Sequence, residues 1–370
     1  MGLTDEDSAS SVLREMPGEM VRRGCDSGVI IVNLSQSNGR KFRIRTKIES
    51  QVAFEKVRQT VYKSEKGKFK NFPLKDFPWH NVFASGYGAG VRNLGTSDYK
   101  YYVAIDALYP LFKTDATLQN PELAIRRMIA RAEESKISKS GKDMEKHLKD
   151  LLKKVLDLDK GDAVILTSTG IEVKSKKWGQ SELSTLGDGY ISTITWILDL
   201  FSWWMLHLNQ NYKNISKHKE IKGIVLIDEI EQHLHPVWQI KIMSLLKQSF
   251  PKIQFIATTH SPLVISGKID MNVSIIGNQG ITTKNASGWL AEDVYRDIMG
   301  LDSSRPNYLE EMISDYRKLH YKKLMEKSSK EDQYIMRDLK KKLSRILLPG
   351  DPIIDSVELR NINKLLNSDS

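Results

Sequence analysis

The stretch GIVLIDEIEQHLHPVWQIKIMSLLKQSFPKIQFIATTHSP, residues 223–262, decides the fold class of this chain. Residues 224–227 are an unbroken β-branched and leucine run, which predicts a strand buried on both faces of a parallel sheet. Apolar residues at helical spacing predict a helix over residues 237–250, which Pro251 ends. Residues 253–257 predict a second strand. The connection has the length of a right-handed strand-helix-strand crossover, so we expect the two strands to be parallel.

Polar residues follow both predicted strands. Asp228 and Glu229 come directly after the first, and Thr258, Thr259 and His260 come after the second. Because the carboxyl ends of parallel strands face the ligand crevice, we expect these side chains at one edge of the sheet. The pattern suits metal-assisted nucleotide hydrolysis. Asp228 is the predicted Mg²⁺ ligand, through water; Glu229 would polarise the attacking water, and His260 would reach that water or the γ-phosphate.

Two other interpretations of these residues are open. The first is a buried strand that simply ends in surface acids. The second is a zinc site made of Glu229, Glu231, His233 and His235. The spacing of the two histidines lacks the i, i+4 pair of a helical zinc motif, and residues 234–236 look like a turn into the helix, so the zinc interpretation is disfavoured.

The segment LIDEIEQHLHP, followed by TTHSP, resembles the Walker B, D-loop and switch-histidine segments of ABC-type ATPase heads in SMC, RecF and OLD proteins. It is most similar to ATP-binding proteins of bacterial anti-phage operons, such as the Septu-type ATPases. The resemblance covers residues 5–306. It implies an α/β fold of the P-loop NTPase-like ABC type, with a mixed or parallel core sheet, an antiparallel β lobe and a helical insertion.

The resemblance also implies a function. Two copies would form a head-to-head dimer that sandwiches ATP and Mg²⁺, and this ATPase would serve antiviral defence by switching a complex that senses or controls nucleic acid. A nuclease effector encoded nearby is the implied partner. His233, in the D-loop-like segment, is an implied nucleotide contact. A nuclease domain within this chain is not expected, because Asp351 and Asp355 have the wrong spacing for a two-metal site.

A second motif is ELSTLGDGY, residues 182–190, which opens a predicted helix. It resembles the ABC signature, whose helix N-terminus faces the γ-phosphate of a nucleotide held by the opposite subunit. Gly187, Asp188 and Gly189 are therefore implied nucleotide contacts. Gly187 stands where the family has a serine, and Ser184 could match only in another register.

A glycine-rich segment, VFASGYGAGVRN, occupies residues 82–93. A similar segment lies near the nucleotide in the resembling family, which makes Arg92 an implied phosphate or partner contact. A simple loop explains the glycines equally well.

The phosphate-binding loop G-x-x-x-x-G-K-[ST] has no counterpart in this sequence. On comparison with the family, Met1 falls just behind the position of that loop. Three explanations stay open: a truncated or internally initiated sequence, a loop supplied by another chain, or a head that no longer hydrolyses ATP. The alternative function is therefore a non-hydrolysing scaffold or a DNA-binding subunit of such a complex.

The charge balance favours polyanionic partners. The 370 residues carry a formal net charge of +10, with an isoelectric point near 9.3. Residues 40–76 hold twelve Lys or Arg and four acids, a balance of +8. The basic stretch from Arg40 to Lys75 predicts a nucleic-acid surface, with a solvated loop face as the alternative. Aromatic residues suited to base stacking lie in or near it: Phe69, Phe72, Phe77 and Trp79.

The remaining features concern location and organisation. A single cysteine, Cys25, excludes an internal disulfide, and no secretion signal begins the chain, so a cytoplasmic protein is expected. Residues 190–208 are apolar, but polar residues interrupt them; a buried helix is favoured over a membrane span. We expect a β lobe with the glycine-rich loop in residues 1–100, a helical insertion with a hairpin in 101–180, the signature and Walker B core in 181–300 and basic helices in 301–370.

Overall fold

The fold is described from a computed structural model. It describes residues 2–15, 20–36, 38–50, 55–89, 99–113, 116–120, 123, 138–167, 170–176, 179–185, 188–211, 222–267, 271–277, 280–301, 305–347 and 351. The chain divides into two compact units, residues 1–289 and residues 290–370.

The described residues form twelve strands and nine α-helices. The strands are β1 Ser27–Ser35, β2 Lys41–Ser50, β3 Glu55–Glu65, β4 Lys68–Phe72, β5 Phe83–Tyr87, β6 Ala163–Leu166, β7 Ile171–Ser175, β8 Gly179–Glu182, β9 Gly223–Ile227, β10 Ile253–Ala257, β11 Asn272–Gly277 and β12 Gly280–Asn285. The helices are α1 Glu6–Glu15, α2 Ala104–Leu108, α3 Ser138–Val155, α4 Asp188–Asn211, α5 Pro236–Ser249, α6 Pro262–Ile265, α7 Ala291–Asp297, α8 Asn307–Leu324 and α9 Lys330–Ile346.

The core sheet confirms the predicted crossover. Strand β9 lies between β10 and β5 and is parallel to both. Val225 and Ile227 of β9 are buried in the main hydrophobic core, whereas Ile224 and Leu226 pack on a second cluster at the other face. Packing on both faces explains the unbroken apolar run. The helix between β9 and β10 is α5, which ends just before Pro251, as predicted.

The glycine-rich segment was expected to be a loop, either beside a ligand or simply a connection, and for its first half this prediction is wrong. Residues Phe83–Tyr87 form β5, which is entirely buried. A Cβ atom on Gly86 would lie 2.9 Å from the Leu111 Cβ, and one on Gly88 would lie 2.8 Å from the Pro110 carbonyl oxygen. The glycines therefore permit close packing between β5 and residues 108–111. Arg92 lies outside the described residues.

The predicted antiparallel lobe is confirmed and is larger than expected. Strands β1 and β2 form the hairpin expected from the Asn-Gly turn, where Gly39 has a φ of 80°. Strands β3 and β4 extend it to a four-stranded antiparallel sheet. Helix α1 packs against the inner face, where Ala9 and Leu13 meet Ile48 and Val57. The basic stretch is therefore largely sheet and not a loop.

Three of the aromatic residues predicted for stacking on bases belong instead to a hydrophobic cluster. Phe42 contacts Phe72 and Phe77 edge-on, with ring centroids 5.6 and 5.2 Å apart, and Phe77 contacts Trp79 at 4.6 Å. Such edge-to-face pairs stabilise a core beyond the area that they bury. Phe69 is the member of the predicted set with an exposed ring, at 36%.

The helical insertion is confirmed in its second half. Helix α3 buries Leu148, Leu151, Leu152 and Val155 along one face, at the spacing that the sequence predicted. The hairpin of β6 and β7 follows, and β8 adds a third strand. Asn120 accepts a hydrogen bond from the Leu123 N–H at 3.1 Å, as expected of a capping residue. Residues 124–137, which follow Leu123, lie outside the described residues.

Helix α4 is the central buried helix of the first unit. Trp196, Trp203 and Trp204 are each at most 2% exposed. Within the described residues, no helix is both long and apolar enough to cross a bilayer. In the second unit, α8 and α9 pack through a small apolar cluster that includes Leu309, Ile313 and Leu343.

Candidate functional site

The pairing of the core strands brings the predicted acids and the β10 terminus to one edge. Ile227 is in register with Ala257 on one side and with Tyr87 on the other. Beyond this register, the Asp228 N–H donates to the Tyr87 carbonyl at 2.7 Å, and the Thr258 N–H donates to the Ile227 carbonyl at 2.9 Å. Asp228 and Thr258 therefore leave the sheet side by side.

The hydroxyl of Thr258 joins both acids of the predicted site. It donates to the Asp228 Oδ1 at 2.5 Å and accepts the Glu229 N–H at 2.9 Å. Asp228 and Glu229 are half-buried, whereas Thr258 is exposed. Because one hydroxyl touches both residues, their backbone positions are fixed relative to the end of β10.

Glu231 also belongs to this site, and its role was not predicted from the sequence. Its Oε1 accepts the His260 N–H at 2.5 Å, and its Oε2 accepts the Thr259 hydroxyl at 2.6 Å. The carboxylate therefore holds the segment that carries His260 against the turn that carries Glu229. Glu231 lies two residues after Glu229, in the same turn. This position was the sequence signal that Glu231 could lie near the strand ends, but it does not reveal the partners at residues 259 and 260.

Glu229 and His233 have an unusual backbone conformation. Their φ angles are 47° and 63°, in the left-handed region that residues with a Cβ atom rarely adopt. Such strain persists where surrounding contacts hold it, and it is concentrated at functional sites. Here the hydrogen bond to Thr258 is one such contact at Glu229.

The donor set at this edge suits a hard cation. Asp228 presents a carboxylate oxygen beside the Thr258 hydroxyl, and the backbone N–H of Glu229, the next carboxylate along the chain, donates to the same hydroxyl. His235 instead caps α5 by accepting the Val237 N–H at 3.4 Å, and His233 is exposed. Oxygen ligands that are few in number fit Mg²⁺, which keeps much of its water, better than zinc. Within the described residues, no three His, Cys, Asp or Glu side chains converge as a metal cluster.

A buried hydrogen-bonded pair lies directly behind the acids. Tyr87, whose carbonyl accepts the Asp228 N–H, donates its hydroxyl to the Asp199 Oδ2 of α4 at 2.9 Å. The Asp199 Oδ1 accepts the Gln119 N–H at 2.7 Å. Burial raises the pKa of Asp199 to about 7 although these donors lower it, and burial also raises the pKa of Tyr87. Asp199 thus connects α4 to the strand beside the acids.

The structure describes only part of the signature-like segment, which holds the remaining predicted nucleotide contacts. Helix α4 begins at Asp188 and includes Gly189, two residues before the predicted start at residue 190, so the end of the signature-like segment forms its first turn. Gly187 lies outside the described residues.

Comparison with known proteins identifies the family. Residues 26–266 match the model described as "AAA domain, putative AbiEii toxin, Type IV TA system". The chain belongs to this family. Its matched region contains both acids and His260. The α/β class, with a parallel core sheet and an antiparallel lobe, is thereby confirmed.

Curated relatives agree with the expected likeness to ATPases of anti-phage systems. The chain is 29% identical over 214 residues to the Septu protein PtuA of Bacillus thuringiensis, covering 55% of this chain and 49% of that one. It is 38% identical over 125 residues to a protein of Vibrio cholerae named "Retron Vc95 probable ATPase", covering 32% and 24%. The chain spans half or less of the length of the curated relatives that it matches.

Among solved structures, the SMC head domain of Thermotoga maritima aligns over 75% of this chain and 83% of its own, at 12% identity and a TM-score of 0.37.

Proposed function

We propose that this chain is the nucleotide-binding and nucleotide-hydrolysing head of an anti-phage complex. ATP with Mg²⁺ would bind at the edge where β9 and β10 end. The observation that supports this most is the Thr258 hydroxyl, which contacts both Asp228 and the Glu229 N–H across two adjacent parallel strands. Ligands of α/β sheets bind at this end of the strands.

Each residue then has a separate role. Asp228 would hold Mg²⁺ through water, and the bound ion would neutralise charge that develops on the phosphate oxygens. Glu229 would accept a proton from the attacking water. His260 would donate to the γ-phosphate or orient that water, with Glu231 fixing its backbone. In this scheme the chain contributes mainly positioning and electrostatic stabilisation, which dominate phosphoryl transfer.

The proposal extends to assembly. Two copies would face each other across the nucleotide, with Gly187, Asp188 and Gly189 of one copy contacting the phosphate held by the other. Arg92 and His233 would be further nucleotide contacts. A nuclease effector would act with this dimer on nucleic acid in the cytoplasm. Support comes from the Septu and retron names of the relatives and from the helix that begins at Asp188.

Calorimetry and phosphate release test the site. We expect Mg²⁺-dependent ATP binding by this chain, lost in Asp228→Asn. In Glu229→Gln, ATP binding should persist while phosphate release falls about 10²-fold or more, because a general base contributes a factor of that order. Glu311→Gln, at an exposed position of α8, is the matched control and should behave like the parent.

The outcomes separate the two candidate functions. ATP binding without phosphate release by the parent chain would favour the non-hydrolysing scaffold. Absence of ATP binding, with or without Mg²⁺, would contradict a nucleotide site that this chain forms without a phosphate-binding loop from another chain.

A further inference from the structure

The outer face of the four-stranded sheet is strongly basic. Along β2 the side chains alternate: Phe42, Ile44, Thr46 and Ile48 are buried inward, so the residues between them point outward. Strand β3 alternates in the same way, with Val57, Gln59 and Val61 buried. We call the resulting set of outward cations the basic face; it consists of Arg43, Arg45, Lys47, Lys56 and Arg58.

Strand register places these cations next to one another. Lys47 is opposite Arg58, and Glu49 is opposite Lys56. Arg43, Arg45 and Lys47 follow every second residue of β2, so they are about 6.8 Å apart, twice the rise per residue of an antiparallel strand. The basic face is therefore a regular row of three cations on β2, with the two cations of β3 beside its Lys47 end.

Arg43 is held in a defined orientation on this surface. Its Nε donates to the Asn33 Oδ1 at 2.9 Å, and its guanidinium carbon lies 4.2 Å from the centre of the Phe69 ring. The ring and the amide limit the rotamers of the long side chain. A guanidinium fixed in this way loses less conformational freedom when it binds an anion.

Negative charge on the basic face is insufficient to neutralise it. Glu49 pairs with Lys47 at 2.7 Å and approaches Arg58 at 3.6 Å. Within the described part of the chain, neither Arg43 nor Arg45 has a carboxylate at ion-pair distance. Five cations and one acid leave an excess of four positive charges on one sheet face. Like charges opposite each other, such as Lys47 and Arg58, destabilise a sheet, and a bound polyanion would relieve that repulsion.

We infer that the basic face binds the phosphate backbone of nucleic acid without sequence preference. A regular row of cations suits the repeating charge of that backbone. Val29 and Ile31 of β1, which are 45% and 54% exposed beside the row, offer apolar contact to sugars or bases.

This inference deepens the proposed function, since it assigns a surface to the nucleic-acid partner. It is nevertheless independent of the acids at the strand ends. Binding is therefore measured without nucleotide, and a failure here leaves the test at Glu229 unaffected.

The experiment measures binding of a labelled mixed-sequence DNA duplex and of its single strand across a series of salt concentrations. In Arg45→Gln/Arg58→Gln we expect weaker DNA binding, because two phosphate contacts are removed. The slope of log K against log salt should become shallower by about 1.8 for the duplex and by about 1.4 for the single strand. Arg45→Lys/Arg58→Lys keeps both charges and should keep the slope of the parent chain.

Lys247→Gln/Lys252→Gln is the matched control. Both lysines are exposed and lie where α5 passes into β10. The control pair should keep the slope of the parent chain. The inference is overturned if the parent chain does not bind DNA. It is also overturned if the control variant loses as much DNA affinity as the glutamine variant of Arg45 and Arg58, or if the lysine variant does. Equal competition by polyglutamate would also overturn it, in favour of an acidic protein.

Discussion

Replacing Glu231 tests whether this carboxylate fixes the end of β10. In Glu231→Ala, the Thr259 hydroxyl and the His260 N–H both lose their acceptor. We expect the segment carrying His260 to loosen while the core sheet stays folded. In Glu231→Gln, one oxygen still accepts the His260 N–H, and the amide can donate to the Thr259 hydroxyl. The glutamine variant should therefore be affected less.

The magnitude follows from the two contacts. A hydrogen bond to a charged group contributes about 1.5–3 kcal/mol to stability. His260 is exposed and Glu231 is half-buried, so water replaces part of each contact. The lower end of the range for two hydrogen bonds is about 3 kcal/mol, and exposure to water reduces it to a loss of about 2 kcal/mol in the free energy of unfolding for Glu231→Ala. For Glu231→Gln we expect about 1 kcal/mol.

Two measurements check this expectation. Urea denaturation gives the change in unfolding free energy, and hydrogen exchange gives the protection of the His260 amide. Exchange at that amide should accelerate in Glu231→Ala and less in Glu231→Gln, whereas Glu311→Gln should match the parent chain. Unchanged protection of the His260 amide in Glu231→Ala would falsify the anchoring role, whatever the global stability.

Three further predictions concern the core and the strained turn. Burial raises the pKa of Asp199 from 3.8 to about 7, so the folded state holds a proton that the unfolded state releases. The contribution of Asp199 to stability therefore falls as pH rises between those values. In Asp199→Asn, the unfolding free energy from urea denaturation should depend less on pH across that range. Glu229→Gly should abolish phosphate release and raise the unfolding free energy by about 1 kcal/mol. Relief of the left-handed φ stabilises the folded state by about 1–2 kcal/mol, and the greater freedom of the unfolded chain offsets about 0.4–1 kcal/mol of this. Gly86→Ala should lower the unfolding free energy by about 1–3 kcal/mol, because its Cβ would lie 2.9 Å from the Leu111 Cβ.

Each prediction has a matched control. Asp150→Asn, at an exposed position of α3, should leave the pH dependence unchanged. Lys66→Gly relieves a φ of 50° in the turn between β3 and β4, so it should stabilise the fold without affecting phosphate release. Gly277→Ala adds a methyl group that meets nothing closer than 3.9 Å. A stabilising effect of Gly86→Ala, or a loss of stability in Glu229→Gly, would contradict the packing and strain arguments respectively.

The sequence predicts best where one physical signal spans a whole element. The runs at β9 and β10 are apolar because they pack within a parallel sheet, and α5 between them has helical spacing and a terminating proline. All three elements were therefore predicted to within about a residue. Strand β5 was missed because its glycines imitate a loop. The reason for those glycines is the approach of residues 108–111, which no local pattern reveals.

The site was predictable in outline and less so in detail. Asp228 and Glu229 follow directly from the end of a buried strand, and His260 from the next one. Glu231 could not be assigned a role, since its partners lie 28 and 29 residues away and depend on the parallel pairing. Likewise, Phe72 and Phe77 could be read as stacking platforms or as core, and their burial became evident only once β2 lay beside them.

Tyr87 hydrogen-bonds to two parts of the first unit that are far apart in the sequence, helix α4 and the end of β9. Its carbonyl holds the Asp228 N–H, and its hydroxyl reaches Asp199, 112 residues further along the chain. One residue of β5 thus joins the long helix to the backbone at the end of the neighbouring strand through two hydrogen bonds, and no loop lies between them.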